Sequence, residues 1–145
     1  MTIVNIDHLD LTEFTASQDA KQRCRATFPM LGAHGTRECA TVYFELDPGE
    51  HLGRHTDSAE ELLLVLEGEV EAEVDGQRGI LLKGDLAHVP KMAPHDLRNI
   101  GHGTARVLGF FGGANHIQAT FEQQWNGMPG HTVDTSAMAA GQEAR

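Results

Sequence analysis

Four side chains able to hold a divalent cation stand at spacings that could bring them together. His55, Asp57 and Glu61 share one stretch, and His95 follows Pro94 further along. Residues two apart on an extended chain leave the same face, so 55 and 57 project together and Glu61 keeps their parity. Imidazole with carboxylate suits divalent iron, manganese, nickel, copper or zinc, whereas the shortage of cysteine argues against an iron–sulfur centre. Nine histidines in 145 residues raise the expectation of metal or acid–base chemistry, since imidazole is both the commonest metal ligand and the usual proton carrier. Spacing singles out His55 and His95. His51 reads as a loop residue beside the site, with a fifth-ligand or relay role as the alternative. His88 reads as packing or solvent-facing, and His116 as a residue that could cap a barrel mouth.

The elements that must position these groups read as short strands. Residues 38–46 are rich in β-branched and aromatic types and stop at a turn, Asp47-Pro48-Gly49. The apolar run 61–67 has the length of a buried strand and ends at Gly68. Residues 69–75 alternate, with Val70, Ala72 and Val74 on one face and Glu69, Glu71 and Glu73 on a solvated one. Asp75-Gly76 then signals a hairpin. Further strands are expected at 79–82, 86–90, 95–100 and 104–111, with one or two more before residue 37. Many short strands separated by glycine and proline turns, without a good amphipathic helix, imply an all-β sandwich or barrel. The expected division is 1–37 for N-terminal strands, 38–112 for the barrel core, and 113–145 for a last strand or turn followed by a loosely ordered tail from Gly127.

Composition narrows the partners. Lys and Arg number 11 against 21 Asp and Glu, a net charge of −10, which argues against nucleic acid or an anionic membrane surface. Hydrophobic residues at 40% and charged ones at 22% describe an ordinary globular protein, and 145 residues suit one core. The first ten residues show no signal-peptide pattern, and no apolar run approaches the roughly 20 residues of a membrane span. Cys24 and Cys39 lack the number and spacing of a disulfide scaffold and read as a reduced pair. A cytoplasmic location is expected.

The same residues resemble the two motifs of the cupin superfamily. Gly49, five residues, His55, Thr56, Asp57, three residues, Glu61, six residues and Gly68 follow the first, with Asp57 where a second His is usual. Gly84, five residues, Pro90, Lys91, Met92, two residues, His95, three residues and Asn99 follow the second, with Met92 in place of a Gly. The resemblance implies a double-stranded β-helix, or jelly-roll barrel, as a single domain. It also implies metal ligands at His55, Asp57, Glu61 and His95, and a structural Asn99. Asp57 makes the set two-His-two-carboxylate. If Glu61 swings away, a two-His-one-carboxylate triad with open positions remains.

The resulting expectation is an iron(II)-dependent dioxygenase of the quercetin-dioxygenase-like type. It would act on a small organic substrate in an apolar pocket, with Glu61 as general base and manganese, nickel, zinc or copper as other candidate metals. A redox-neutral isomerase or lyase and a non-catalytic ligand-binding barrel are the alternatives. His55, Asp57, His95 and Arg106 also resemble the iron/2-oxoglutarate pattern, but that family does not predict Glu61 or the glycine and proline spacing. Arg106 therefore reads as a polar residue on an edge or outer strand. Met92, Phe44, Leu63, Val65, Leu97 and Phe110 read as core or pocket wall. Homodimerisation through the N-terminal strands is expected.

Overall fold

The computed structural model describes residues 1–138. Its strands are β1 (Thr12–Thr15), β2 (Arg23–Thr27), β3 (Cys39–Leu46), β4 (His55–Asp57), β5 (Glu61–Glu67) and β6 (Glu69–Val74). Then follow β7 (Gln77–Leu82), β8 (Leu86–Val89), β9 (His95–Asn99), β10 (Ala105–Gly112), β11 (Gln118–Phe121) and β12 (Thr132–Asp134). They pair antiparallel in two six-stranded sheets, ordered β1-β2-β3-β10-β5-β8 and β12-β11-β4-β9-β6-β7. The two sheets enclose one core as a jelly-roll barrel, and the only helices among the described residues are 3-10 turns. None is long and apolar enough to cross a membrane.

Period-two alternation explains which side chains reach the interior. Along β10, Ala105, Val107, Gly109 and Phe111 are buried while Phe110 is exposed. Along β5, Glu61, Leu63 and Val65 point inward and Leu62 is exposed. The run 61–67 is thus buried on one face only, because β5 lies in a sheet whose outer side is open, and composition alone cannot show that. Phe110 and Met92, expected in the core or pocket wall, are both exposed. Arg106 is on neither an edge nor an outer strand, since β10 runs between β3 and β5. Its guanidinium lies on that sheet's outer face, bonded to the Tyr43 hydroxyl at 2.7 Å and to Glu67 at 3.1 Å.

The acidic row on β6 is half-buried, with Glu71 and Glu73 both paired to Arg78. The hairpin after it turns through Asp75 and Gly76 at φ 51° and 83°, the backbone of a two-residue type I′ loop. Beyond Gly127, where a loose tail is expected, β12 pairs with β11 and a 3-10 turn spans Thr135–Ala137. The rest of that expectation, residues 139–145, lies outside the described residues.

Met92 occupies the left-handed region at φ 64°, and its N–H donates to the Asp57 carbonyl at 3.0 Å. A side chain there costs about 1–2 kcal/mol, while glycine gives back about 0.4–1 kcal/mol in unfolded-state entropy. Met92→Gly is expected to stabilise the protein by about 0.5–1 kcal/mol, read as a rise in melting temperature of roughly 1–4 °C.

Candidate metal centre

Register brings the two histidines together. His55 on β4 pairs directly with His95 on β9, placing their rings 4.1 Å apart. Asp57, two residues along β4, leaves the same face. One atom from each of His55, Asp57 and His95 lies within 4.8 Å of the other two, and all three residues are buried. The Asp57 Oδ2 is 3.1 Å from the His95 Nε2 and 3.6 Å from the His55 Nε2.

Both rings are turned for coordination through Nε2. His55 Nδ1 donates to the Gly53 carbonyl at 2.8 Å, and His95 Nδ1 donates to the Ala93 carbonyl at 2.9 Å. A bond at Nδ1 selects the tautomer whose free lone pair is on Nε2, the usual outer support of a metal-bound histidine. Asp57 Oδ2 is buried without a hydrogen-bond partner. An unsatisfied buried carboxylate oxygen beside two imidazole Nε2 atoms is costly on its own and well suited to a cation. The residues present therefore fit a divalent metal ion.

Glu61 reaches this group from the opposite sheet. It sits just outside the three-atom cluster, with Oε1 3.5 Å from His95 Nε2. Burial pushes its carboxyl up to about 7, against the opposing pull of His95. Burial drives His55 toward its neutral form. Burial works against charge on His95 too, but the negative charge of Asp57 and Glu61 outweighs it and lifts its pKa to about 10, a proton that a metal ion would displace from Nε2. Gly109 makes room for the Glu61 carboxylate, because a Cβ there would stand 2.4 Å from Glu61 Oε2 and 2.8 Å from Val42 Cγ1.

Behind His55 runs a partly buried polar chain. Asp19 Oδ2 meets His51 Nε2 at 2.7 Å, and His51 Nδ1 meets Asp96 Oδ2 at 2.7 Å. The other Asp96 oxygen accepts the Gly53 N–H at 2.9 Å, and Gly53 in turn orients His55. Gly53 has φ 92°, and a Cβ on it would stand 2.4 Å from the buried Gln22 side chain. His51 is therefore outside the metal cluster and works through Asp96 and Gly53.

Asp96→Ala is expected to weaken metal binding about 10- to 100-fold by freeing the Gly53 N–H, measured by competition with a chelating dye. It should also alter the pH profile of stability. The hydrogen bond from Asp96 raises the His51 pKa against burial. The resulting stabilisation is complete below the unfolded value of about 6.5 and is lost as pH rises through the higher folded value. In Asp96→Ala that loss should shrink.

The cluster opens on an apolar cavity of about 80 Å³. Asp57 and His55 line it, and Phe28, Phe44, Phe121 and Trp125 are among its walls. His55 stacks on Phe121 at 4.5 Å, and Phe121 meets Trp125 edge-on at 5.4 Å. Of the expected wall residues, Phe44 lines the cavity, whereas Leu63, Val65 and Leu97 are fully buried in the core. The aromatic wall from residues 28, 121 and 125 has no signal in the motif region, because it comes from segments distant in sequence. His88 is exposed and paired with Glu60 at 2.6 Å. His116 packs on Gly32 and does not line the cavity. Asn99 is structural, donating to the Leu46 and Gly103 carbonyls at 2.7 and 2.8 Å.

The fold and the motifs agree with what known proteins show. A model of the cupin domain family matches residues 42–111. Quercetin 2,3-dioxygenase of Bacillus subtilis (strain 168) is 42% identical over 53 residues, covering 37% of this chain and only 15% of that protein. A Thermotoga maritima protein described as a predicted oxalate decarboxylase superposes with a TM-score of 0.66 at 18% identity, over 76% of this chain and 97% of that one. The polyketide cyclase RemF of Streptomyces resistomycificus superposes with a TM-score of 0.62 at 19% identity, covering 77% and 79%. The Schizosaccharomyces pombe Cnp3 cupin domain does so with a TM-score of 0.61 at 14% identity, covering 75% and 72%. On the family match, the paired motifs and the shared barrel, residues 42–111 of this chain form a cupin domain.

Proposed function

We propose that this cupin is a metal-dependent dioxygenase acting on a small organic molecule held in the barrel. The observation that carries this reading is the meeting of His55, Asp57 and His95 at the end of an apolar cavity. Two imidazoles and one carboxylate leave coordination positions open and match the donor set of non-haem iron(II) oxygenases. The partial likeness to quercetin 2,3-dioxygenase supports the same class. A bound divalent ion, iron(II) in this reading, supplies Lewis acidity and one-electron redox chemistry.

The chain's own residues do the rest. His55, Asp57 and His95 would hold the ion at the reacting end of the substrate, and the Phe121 ring stacked on His55 excludes water. Glu61 accepts the acidic proton of an enol or phenol and stores it between the sheets. Both atoms of dioxygen end in the product and the substrate supplies the electrons, so no external reductant is consumed. Arg106 lies on the outer face, remote from this cavity, so it is not placed to bind a 2-oxoglutarate co-substrate. β1 lies at the edge of its sheet, which supports homodimer formation through the N-terminal strands.

The test is oxygen consumption by metal-loaded protein. Substrates would be single-ring enols and diketones, with flavonols as ligands larger than the cavity. Uptake matched by a product containing both oxygen atoms supports the proposal. Product formed without oxygen uptake would identify a redox-neutral isomerase or lyase instead.

A further inference from the structure

We infer that the barrel interior is built for an uncharged, predominantly aromatic molecule about one ring in size, and that it turns away carboxylates and phosphates. The inference rests on the proposed function only in assigning the ligand's polar end to the metal position; the selection itself follows from the cavity wall.

The wall has three telling properties. It is aromatic, with Phe14, Phe28, Phe44, Phe111, Phe121 and the sole tryptophan, Trp125, all contributing. Such rings offer flat apolar faces and edge-to-face contacts to another ring, and little to a sugar or a small diacid. The wall also holds no Lys or Arg among its described residues, and its one carboxylate is Asp57. An anion entering would shed its hydration shell and find a like charge in place of a partner. A divalent ion would add coordination positions open to a carboxylate, so selection by the wall itself is read on the metal-free protein.

Size supplies the third property. At about 80 Å³ the cavity is well below the several hundred cubic ångströms of pockets that hold drug-sized ligands, which limits a ligand within it to one ring at most. Polar groups are confined to the end where His55 and Asp57 stand, and the thiol of Cys24 is the other polar atom of note on the wall. The fitting ligand is thus a ring carrying one hydroxyl or carbonyl at one end, such as a phenol, benzylic alcohol or aryl enol.

Trp125 makes the test direct, since it is the only tryptophan and lies on the cavity wall. Full-length protein would be titrated with benzyl alcohol and with benzoate, which share ring and size but differ in charge, and with oxalate. Tryptophan emission and equilibrium dialysis would be followed on metal-free and metal-loaded samples. Benzyl alcohol is expected to bind saturably in both samples, and in the metal-free one at least about tenfold tighter than benzoate, because only benzoate must then bury an unpaired charge. Phe28→Lys, at a half-buried wall position, should narrow or invert that preference. Benzoate or oxalate binding as tightly as benzyl alcohol to the metal-free protein, or no saturable binding of benzyl alcohol by either method, would overturn the inference. Selective benzyl alcohol binding without oxygen uptake on any substrate would retire the dioxygenase reading and leave this one standing.

Discussion

Removing the divalent ion with a chelator is expected to lower the melting temperature by roughly 10 °C. A ligand present at 100 to 1,000 times its dissociation constant contributes about 2.7–4.1 kcal/mol, and a domain of this size responds with roughly 2–4 °C per kcal/mol. The reason for so large a response lies in the site. His55, Asp57 and His95 are packed where water does not satisfy them, and Asp57 Oδ2 has no hydrogen-bond partner. Cation binding relieves that cost and adds its own attraction. In His55→Ala and His95→Ala the difference between chelated and metal-loaded samples should vanish, and metal content by elemental analysis should fall from stoichiometric to background. A stoichiometric metal surviving both substitutions would place the centre elsewhere.

Glu61→Gln should separate metal binding from turnover. Glu61 is outside the three-atom cluster, so the substitution is expected to leave at least half the metal content in place. Glutamine is nearly isosteric and fits the space left by Gly109, but it cannot take up a proton. Loss of a positioned general base lowers turnover about 10²- to 10⁴-fold, with substrate affinity little changed. A variant that keeps its metal and full turnover would remove Glu61 from the mechanism. A variant that loses its metal would make Glu61 a ligand, as the motif resemblance implies.

The site was legible in sequence to an unusual depth, and the reason is geometric. Strand parity and a short turn carry His55, Asp57 and Glu61 to one interior, and a motif records such local spacing faithfully. His95 follows because its strand pairs with β4 at His55 itself. The fold was equally readable, since strands Glu61–Glu67 and His95–Asn99 end at the glycines and polar residues that turn the chain.

The cavity wall was hidden because it is assembled by sheet order. Phe28 follows β2, Phe121 ends β11, and Trp125 lies in the loop beyond, and nothing local marks them as neighbours. Gly109 was equally silent: a glycine in a strand reads as weakness until the carboxylate opposite it is known. Phe110 and Met92 show the converse error, in which apolar character suggested burial and parity or turn geometry put them in solvent.

The two halves of the site belong to different layers: His55, Asp57 and His95 sit on one sheet, and Glu61 faces them from the other. Ladder hydrogen bonds run within each layer, and across the site the two layers meet through side chains. The gap between Glu61 and His95, 3.5 Å at rest, is then the dimension most exposed to whatever wedges the layers apart. A guest of the right thickness leaves the proton acceptor within reach, while a bulkier one finds no room between the layers. The barrel would thus act as a gauge, judging a molecule by girth as well as by chemistry before letting a proton move.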